Sequence, residues 1–459
     1  EYISTRNKNL NFGFKDVFLR GLAPDGGLFI PKKIKTYNQS KLKDLSKMSY
    51  VELATEIIGN FCSPELENKQ LSELIKKSYK SFMIQDVVKI KKVGDINLVE
   101  LYHGPTLAFK DVAMQVIGNM YDELRISYKK KINIVVATSG DTGSAAISAL
   151  NDRKNINVFV LHPHNKISNI QRKIMTTIGS NNIYNIAIKG TFDDCQKIVK
   201  DMFSENSFRE KINMSAVNSI NWARIVCQVV YYFYSSFKFK NKKISFSVPT
   251  GNFGDVYAGY VAKKMGLPIN KLIVATNENN ILQRVINSGE YKPSTVKPSL
   301  SPSMDVQVSS NFERLLFHVL NQDDKKVSNL MSNLISKGSF KLSSEEVNII
   351  KKDFCAEKTS DKETLEIIKN FSDKHNFILD PHTATAVGAA KKINDSSETL
   401  ILSTAHPYKF LETIKMATSK EIKIPSHLSN TLDKKEKYDI LENNLSKVKN
   451  YILEKANEN

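Results

Sequence analysis

The chain is predicted to be an α/β protein, with parallel or mixed sheets covered by helices on both faces. From about residue 97 onward, short β-branched apolar runs alternate with longer segments whose apolar residues recur every three to four positions. Strands joined through helices in this way build parallel sheets. The apolar runs ending at Leu101, Ala137, Val248 and Ser403 each lead into a loop rich in Gly, Pro, Ser or Thr. In such sheets ligands collect at the carboxyl ends of strands.

Residues 1–80 read as a separate leading unit. Pro24-Asp25-Gly26-Gly27 turns ahead of Leu28-Phe29-Ile30, and helical patterns follow at 50–61 and 71–82. A buried strand is expected at 98–101, and Gly104-Pro105 breaks it. Val112, Ala113, Val116, Ile117, Met120, Tyr121 and Leu124 then share one helix face, which puts Lys110 near that helix's start. Strands at 132–137, 156–161 and 183–188 alternate with helices at 145–150, 168–178 and 192–203. A long apolar helix, 225–237, precedes a strand at 244–248. The next helix carries Val256, Tyr257, Tyr260 and Val261 on one face and stops at Gly266, with Pro268 just beyond. A strand at 272–276 follows, helices dominate 311–374, and a late strand at 399–403 leads into a helix at 408–417. The charged tail from Thr431 spaces Ile440, Leu441, Val448 and Ile452 for a surface-packed helix.

A chain of 459 residues can bury a large core and is expected to hold two or three domains. Its hydrophobic share of 41% and charged share of 25% are those of a soluble globular protein. No apolar run is long enough to span a bilayer, and the first residues lack an apolar signal core, so a cytoplasmic protein without a membrane partner is expected. Cys62, Cys195, Cys227 and Cys355 are scattered with no C-x-x-C pair, which argues against a disulfide framework or a zinc site. The net charge of +18 is spread thinly, with small clusters at Lys129–Lys131 and Lys238–Lys243. No nucleic-acid motif accompanies it, and no nucleic-acid partner is expected.

Four loops carry chemistry. The partial positive charge at a helix start disfavours an ammonium at Lys110. A desolvated lysine held there favours its neutral amine, which can attack an aldehyde; the alternative is a solvated first-turn lysine. Gly251-Asn252-Phe253-Gly254-Asp255 can place backbone N–H groups around a phosphate at a helix N-terminus, or can be merely a tight turn. Thr138-Ser139-Gly140-Asp141-Thr142-Gly143 suits a carboxylate or another anion, the alternative being a helix N-cap by Asp141 or Thr142. Thr404 ends an apolar strand ahead of Ala405-His406-Pro407. His162-Pro163-His164 lacks a third ligand at a useful spacing, and no metal is expected. A reactive lysine, a phosphate cradle and a carboxylate loop in one α/β chain together suggest pyridoxal phosphate acting on an amino acid.

The chain resembles the threonine synthase family of pyridoxal-phosphate enzymes. The matching segments run in the family's order over nearly the whole chain. They are Tyr2-Ile3-Ser4-Thr5-Arg6, 22–28, His103-Gly104-Pro105-Thr106-Leu107-Ala108-Phe109-Lys110-Asp111, 138–145, 217–224, 249–255, Ser301-Pro302-Ser303-Met304-Asp305 and 403–407. The resemblance implies fold type II, the tryptophan-synthase-β-like fold. Its catalytic region would span 81–430 as two α/β subdomains, between the leading segment 1–80 and a charged helix at 431–459. By the same resemblance, Lys110 is the cofactor-linking lysine, Gly251, Asn252, Phe253, Gly254 and Asp255 hold the cofactor phosphate, and Thr404 bonds the pyridine nitrogen. Ser139, Gly140, Asp141 and Thr142 hold the substrate carboxylate. Asn218, Asn221 and Arg224 fall in a family motif, with Arg224 a candidate for the substrate phosphate. Related dehydratases and sulfhydrylases usually carry Asn where Asp141 stands, which favours threonine synthase. The implied reaction converts O-phospho-L-homoserine and water to L-threonine and phosphate, in a monomer or homodimer. The alternatives are another enzyme of the same fold, such as a threonine or serine dehydratase, and a non-catalytic binding relative.

Overall fold

Three strands, Ile244–Pro249, Glu398–Ser403 and Ile96–Glu100, run parallel and adjacent in the middle of a six-stranded sheet. Their carboxyl ends therefore open at one edge, and the loops that follow begin at Thr250, Thr404 and Leu101. Ile269–Thr276 and then Phe354–Lys358 extend this sheet in parallel on one side. Lys89–Val93 closes the other side antiparallel. The computed structural model describes residues 1–124, 131–240, 242–430 and 432–457. Lys129 and Lys130 of the first basic cluster, Asn241 within the second, and Thr431 lie outside the described residues.

A second sheet is parallel throughout, in the order Asp439–Glu442, Ile183–Lys189, Ile156–Pro163, Ile132–Ala137 and Met214–Ser215. Helix Trp222–Phe237 is buried along nearly its whole length and packs against Gly254–Lys264, Tyr50–Cys62 and Lys110–Leu124. An all-round apolar sequence such as Trp222 to Phe237 is that of a helix with no solvent face. The leading unit forms a three-stranded antiparallel sheet, with Tyr2–Ser4 between Asn7–Phe12 and Phe29–Pro31. Its helix Tyr50–Cys62 starts with a capping box, in which Ser49 and Glu52 satisfy each other's backbone N–H groups. Among the described residues no helix is long and apolar enough to cross a membrane.

Three expectations are corrected. Ile440 and Leu441 do not continue a helix; they lie on the strand Asp439–Glu442, and Leu445–Asn457 alone is helical, burying Val448 and Ile452. A run of four residues cannot be assigned by period, and here an open sheet edge at Ile183–Lys189 captures it. The helix-rich stretch 311–374 also contains the strand Phe354–Lys358, paired to Ile269–Thr276 at the sheet's edge. The helix expected at 408–417 opens as a 3-10 turn, Pro407–Phe410, before Leu411–Ala417.

Candidate active site

The loop before Lys110 is closed on itself. Asp111 accepts hydrogen bonds from the Thr106 N–H at 2.8 Å and the Thr106 hydroxyl at 2.7 Å. Gly104 lies so close that a Cβ there would meet the Asp111 Cβ at 2.4 Å. Leu107 sits in the left-handed region at φ 62°, a strained conformation for a branched side chain. The turn is sewn to the neighbouring strand end. Phe109 N–H donates to the Thr404 carbonyl at 2.8 Å, and His406 N–H donates to the Leu107 carbonyl at 3.0 Å. Thr404 and Lys110 are thus held on one backbone frame. Helix Lys110–Leu124 then begins at the lysine itself.

Lys110 reaches across to the second sheet. Its Nζ stands 3.5 Å from Oδ2 of Asp141 and 3.5 Å from Oγ of Ser303. Burial lowers the amine to about 8, against the pull of Asp141 and helped by the charges of Arg224 and Lys409. Asp141 is a hub. Its Oδ1 accepts from Lys409 Nζ at 2.5 Å and from Gln171 Nε2 at 3.2 Å, and its Oδ2 accepts from Ser303 Oγ at 3.1 Å. Burial alone would raise this carboxyl, but Lys409 and then Lys110 outweigh it and hold it well below the ordinary carboxylate range.

Neither Asp141 nor Thr142 caps its helix. Gly140, at φ 134°, is the N-cap, and the Thr138 hydroxyl accepts the N–H groups of Gly140 and Gly143, each at 2.9 Å. Gly140 has no room for a side chain, since a Cβ would meet Gln171 at 2.6 Å. The N–H groups of Asp141 and Thr142 and the hydroxyls of Ser139 and Thr142 carry no hydrogen bond to the described residues. They remain available to an anion.

The loop after Ile244–Pro249 has the same character. Its carbonyls are engaged: Ser309 Oγ donates to Gly251 O at 2.7 Å, and Asn311 donates to Asn252 O from N at 3.1 Å and from Nδ2 at 3.0 Å. Its N–H groups, from Gly251 to Asp255, have no partner among the described residues. Phe253 takes a left-handed φ of 64° immediately before helix Gly254–Lys264, a turn that gathers successive N–H groups into an anion-binding concavity. A Cβ on Gly251 would lie 2.7 Å from the Ser303 carbonyl, so this loop touches the same serine that faces Lys110.

Ser303 joins the three loops, and it was not singled out as a site residue from the sequence. Its N–H donates to His382 Nε2 at 3.2 Å, and His382 Nδ1 faces Asp380 Oδ2 at 3.1 Å. With Nε2 accepting, Nδ1 carries the proton and donates to Asp380. Lys409 was likewise missed. Two members of the expected set are arranged otherwise than their motifs suggested. The Asp255 Oδ1 is committed to Tyr231 and Tyr232, whose hydroxyls donate to it at 2.5 and 2.9 Å, while Oδ2 is buried without a partner among the described residues. Arg224 is buried and pairs with no carboxylate among the described residues; its Nη1 donates to Val217 O at 3.4 Å, and its Nε has no partner. Asn221 is structural, capping helix Trp222–Phe237 and donating to Phe18 O at 2.9 Å.

This geometry has counterparts. Residues 1–79 match the family described as threonine synthase N terminus, 89–333 the pyridoxal-phosphate dependent enzymes, and 383–452 the threonine synthase C-terminal family. The chain is 40% identical to the threonine synthase of Pseudomonas aeruginosa, covering 99% of this chain and 98% of that one. It is 44% identical to the threonine synthase of Saccharomyces cerevisiae, covering 91% and 89%. The fold matches a pyridoxal-phosphate-bound threonine synthase from Brucella melitensis with a TM-score of 0.95 at 40% identity, over 99% of each chain. With a lysine, two anion-ready loops and three family matches along one chain, this protein belongs to the threonine synthase family, whose cofactor is pyridoxal 5′-phosphate and whose fold is that of the type II enzymes.

Proposed function

We propose that this chain converts O-phospho-L-homoserine and water to L-threonine and phosphate, as a cytoplasmic monomer or homodimer with no nucleic-acid partner. The observation that carries the reading is the convergence on Ser303: the buried Lys110 amine, the Asp141 hub and the Gly251 turn all approach this one residue. Pyridoxal phosphate fits the groups present. Its aldehyde calls for a buried amine that can lose its proton, and Lys110 is such an amine. Its phosphate calls for free N–H donors, which the loop from Gly251 to Asp255 supplies.

When bound, pyridoxal phosphate supplies the electron sink that lets protons leave both Cα and Cβ of the substrate. The chain's own groups do the rest. Lys110 Nζ carries protons at the substrate carbons. Phosphate leaves Cγ, Cγ regains a proton, and water adds at Cβ. The Asp141 carboxylate is ionised, so it cannot itself receive the substrate carboxylate. That role falls to the Asp141 and Thr142 N–H groups and the Ser139 and Thr142 hydroxyls, with Gly140 supplying the turn that brings them together. Lys409 offsets the charge that Asp141 would otherwise turn against an anionic substrate. Thr404 is assigned to the pyridine nitrogen and Arg224 to the substrate phosphate. Product analysis tests the whole reading: loaded with cofactor, the chain should release threonine and phosphate in equal amounts from phosphohomoserine. Conversion of threonine to a 2-oxo acid with no turnover of phosphohomoserine would instead identify a dehydratase.

A further inference from the structure

The motif Tyr2-Ile3-Ser4-Thr5-Arg6 lies in the leading sheet and plays no part in the chemistry above. Its side chains nevertheless lead to the Gly251 loop through hydrogen bonds to Glu313 and then one backbone step to Arg314. Thr5 Oγ1 donates to Glu313 Oε1 at 2.6 Å, and Arg6 grips the same carboxylate from Nε at 2.9 Å and from Nη2 at 2.8 Å. Arg314, the next residue, has no exposed surface. Its Nε donates to Phe29 O of the leading sheet at 2.9 Å, its Nη2 to Ile220 O at 2.7 Å, and its Nη1 to Asn311 Oδ1. Asn311 in turn holds the Asn252 carbonyl through both its N–H and its Nδ2.

The last link has a directional consequence. A trans peptide is planar, and its C=O and N–H point to opposite sides. Drawing the Asn252 carbonyl toward Asn311 therefore turns the Phe253 N–H the other way. Ser309 does the same for the Asn252 N–H by holding the Gly251 carbonyl at 2.7 Å. Residues 309 and 311 thus set which way two of the loop's N–H groups face. Asn311 is fixed in turn by Arg314, and Arg314 by the leading sheet.

We propose that the leading sheet is a working part of the phosphate cradle: Thr5, Arg6 and Arg314 are positioning residues that, through Asn311, aim the loop N–H groups at the cofactor phosphate. This rests on the reading that the loop from Gly251 to Asp255 holds that phosphate. The guanidinium suits the task because its rigid planar fork fixes three carbonyl partners in set directions, whereas an ammonium's three donors share one atom that rotates.

The test strips cofactor from the full-length chain and titrates back either pyridoxal phosphate or pyridoxal, which lacks the phosphate. Thr5→Val keeps the side-chain shape at a turn position, removing the donor to Glu313 and also the acceptor of the Leu28 N–H at 2.9 Å, and Arg6→Met removes a partly exposed partner without touching Leu28. Each should weaken pyridoxal phosphate binding about tenfold and leave pyridoxal binding within about twofold, a selective loss that a general loosening of the fold would not produce. Equal losses for both ligands, or no loss for either, overturn the inference. Gly254→Val in the same assay checks the underlying reading. If it weakens pyridoxal phosphate while Thr5→Val and Arg6→Met do not, the loop keeps its role and the relay is wrong. If Gly254→Val leaves pyridoxal phosphate binding unchanged, the loop assignment falls and the relay falls with it.

Discussion

Lys409 donates from Nζ to Oδ1 of Asp141 across 2.5 Å, and neither side chain exposes more than 4% of its surface. The same ammonium donates to the Thr106 carbonyl at 3.0 Å. One lysine therefore ties the turn before Lys110 to the loop that faces it from the second sheet. A buried pair of this kind fixes a geometry more surely than it adds net stability.

Removing Lys409 leaves the buried Asp141 carboxylate with only the more distant Lys110, at 3.5 Å, to offset it. Lys409→Met should cost about 3–5 kcal/mol in chemical denaturation. Asp141→Asn introduced in the same chain should recover much of that loss, because the stranded carboxylate is then gone. A Lys409→Met protein as stable as the wild type would show that the two charges are not coupled.

The acid limb of stability should report Asp141. Its folded pKa is depressed, so the unfolded state binds more protons wherever the two differ. The contribution is fully present above the ordinary carboxylate value of about 4 and is lost as pH falls from there toward the folded value. With Lys110→Met in both chains, so that the lysine does not titrate, the difference in stability between Asp141 and Asp141→Asn should be flat from pH 7 to about 5 and should then change. A difference that varies steadily across neutral pH would assign the effect to another group.

Much of this site was legible in the sequence because its pieces are local. A strand end, a glycine turn and a helix start occupy consecutive residues, so Lys110, the loop from Ser139 to Thr142 and the loop from Gly251 to Asp255 could each be picked out as a candidate, and only their combination pointed to one chemistry. Lys409 and Ser303 could not. Lys409 sits in a 3-10 turn, where a lysine ordinarily faces water, and only the packing of two sheets buries it. Asp255 shows the converse. Adjacency in sequence put its side chain with the loop, whereas a helix start turned it to Tyr231 and Tyr232. Ile440 and Leu441 were misread because strand pairing with Ala187 and Ile188, far away in the chain, leaves no periodic trace in four residues.

Arg224 should act on substrate rather than on the fold. It is buried without a carboxylate partner among the described residues, and its Nε is unpaired. Arg224→Ala should raise KM for phosphohomoserine at least tenfold with a smaller change in cofactor affinity. Arg224→Lys should recover only part, since a point charge replaces a planar fork. A thermal melt run in parallel decides the matter: a large loss of stability with KM unchanged would make the residue structural.

The pH dependence of cofactor capture should follow Lys110. Its amine must be neutral to attack an aldehyde, and burial brings it to about 8 from the usual lysine value. The rate at which stripped protein takes up pyridoxal phosphate should therefore rise with pH and level off above about 8, rather than climbing on toward about 10.4 as for an exposed lysine. Borohydride trapping followed by peptide mapping should place the pyridoxyl group on Lys110 throughout. The neighbours give this prediction its sign. Asp141 favours the ammonium, so Asp141→Asn should move the inflection to lower pH. Arg224 disfavours it, so Arg224→Met should move the inflection to higher pH. Stability runs in step. Between about 8 and about 10.4 the unfolded chain holds a proton on this lysine that the folded chain has released, so the stability of wild type relative to Lys110→Met should rise with pH across that window. Two opposite shifts from two neutralising substitutions are hard to produce by general damage. An inflection near 10 in the wild type, unmoved by either change, would mean that the Lys110 amine meets water and that its burial among Asp141, Ser303 and Arg224 is not what prepares it to react.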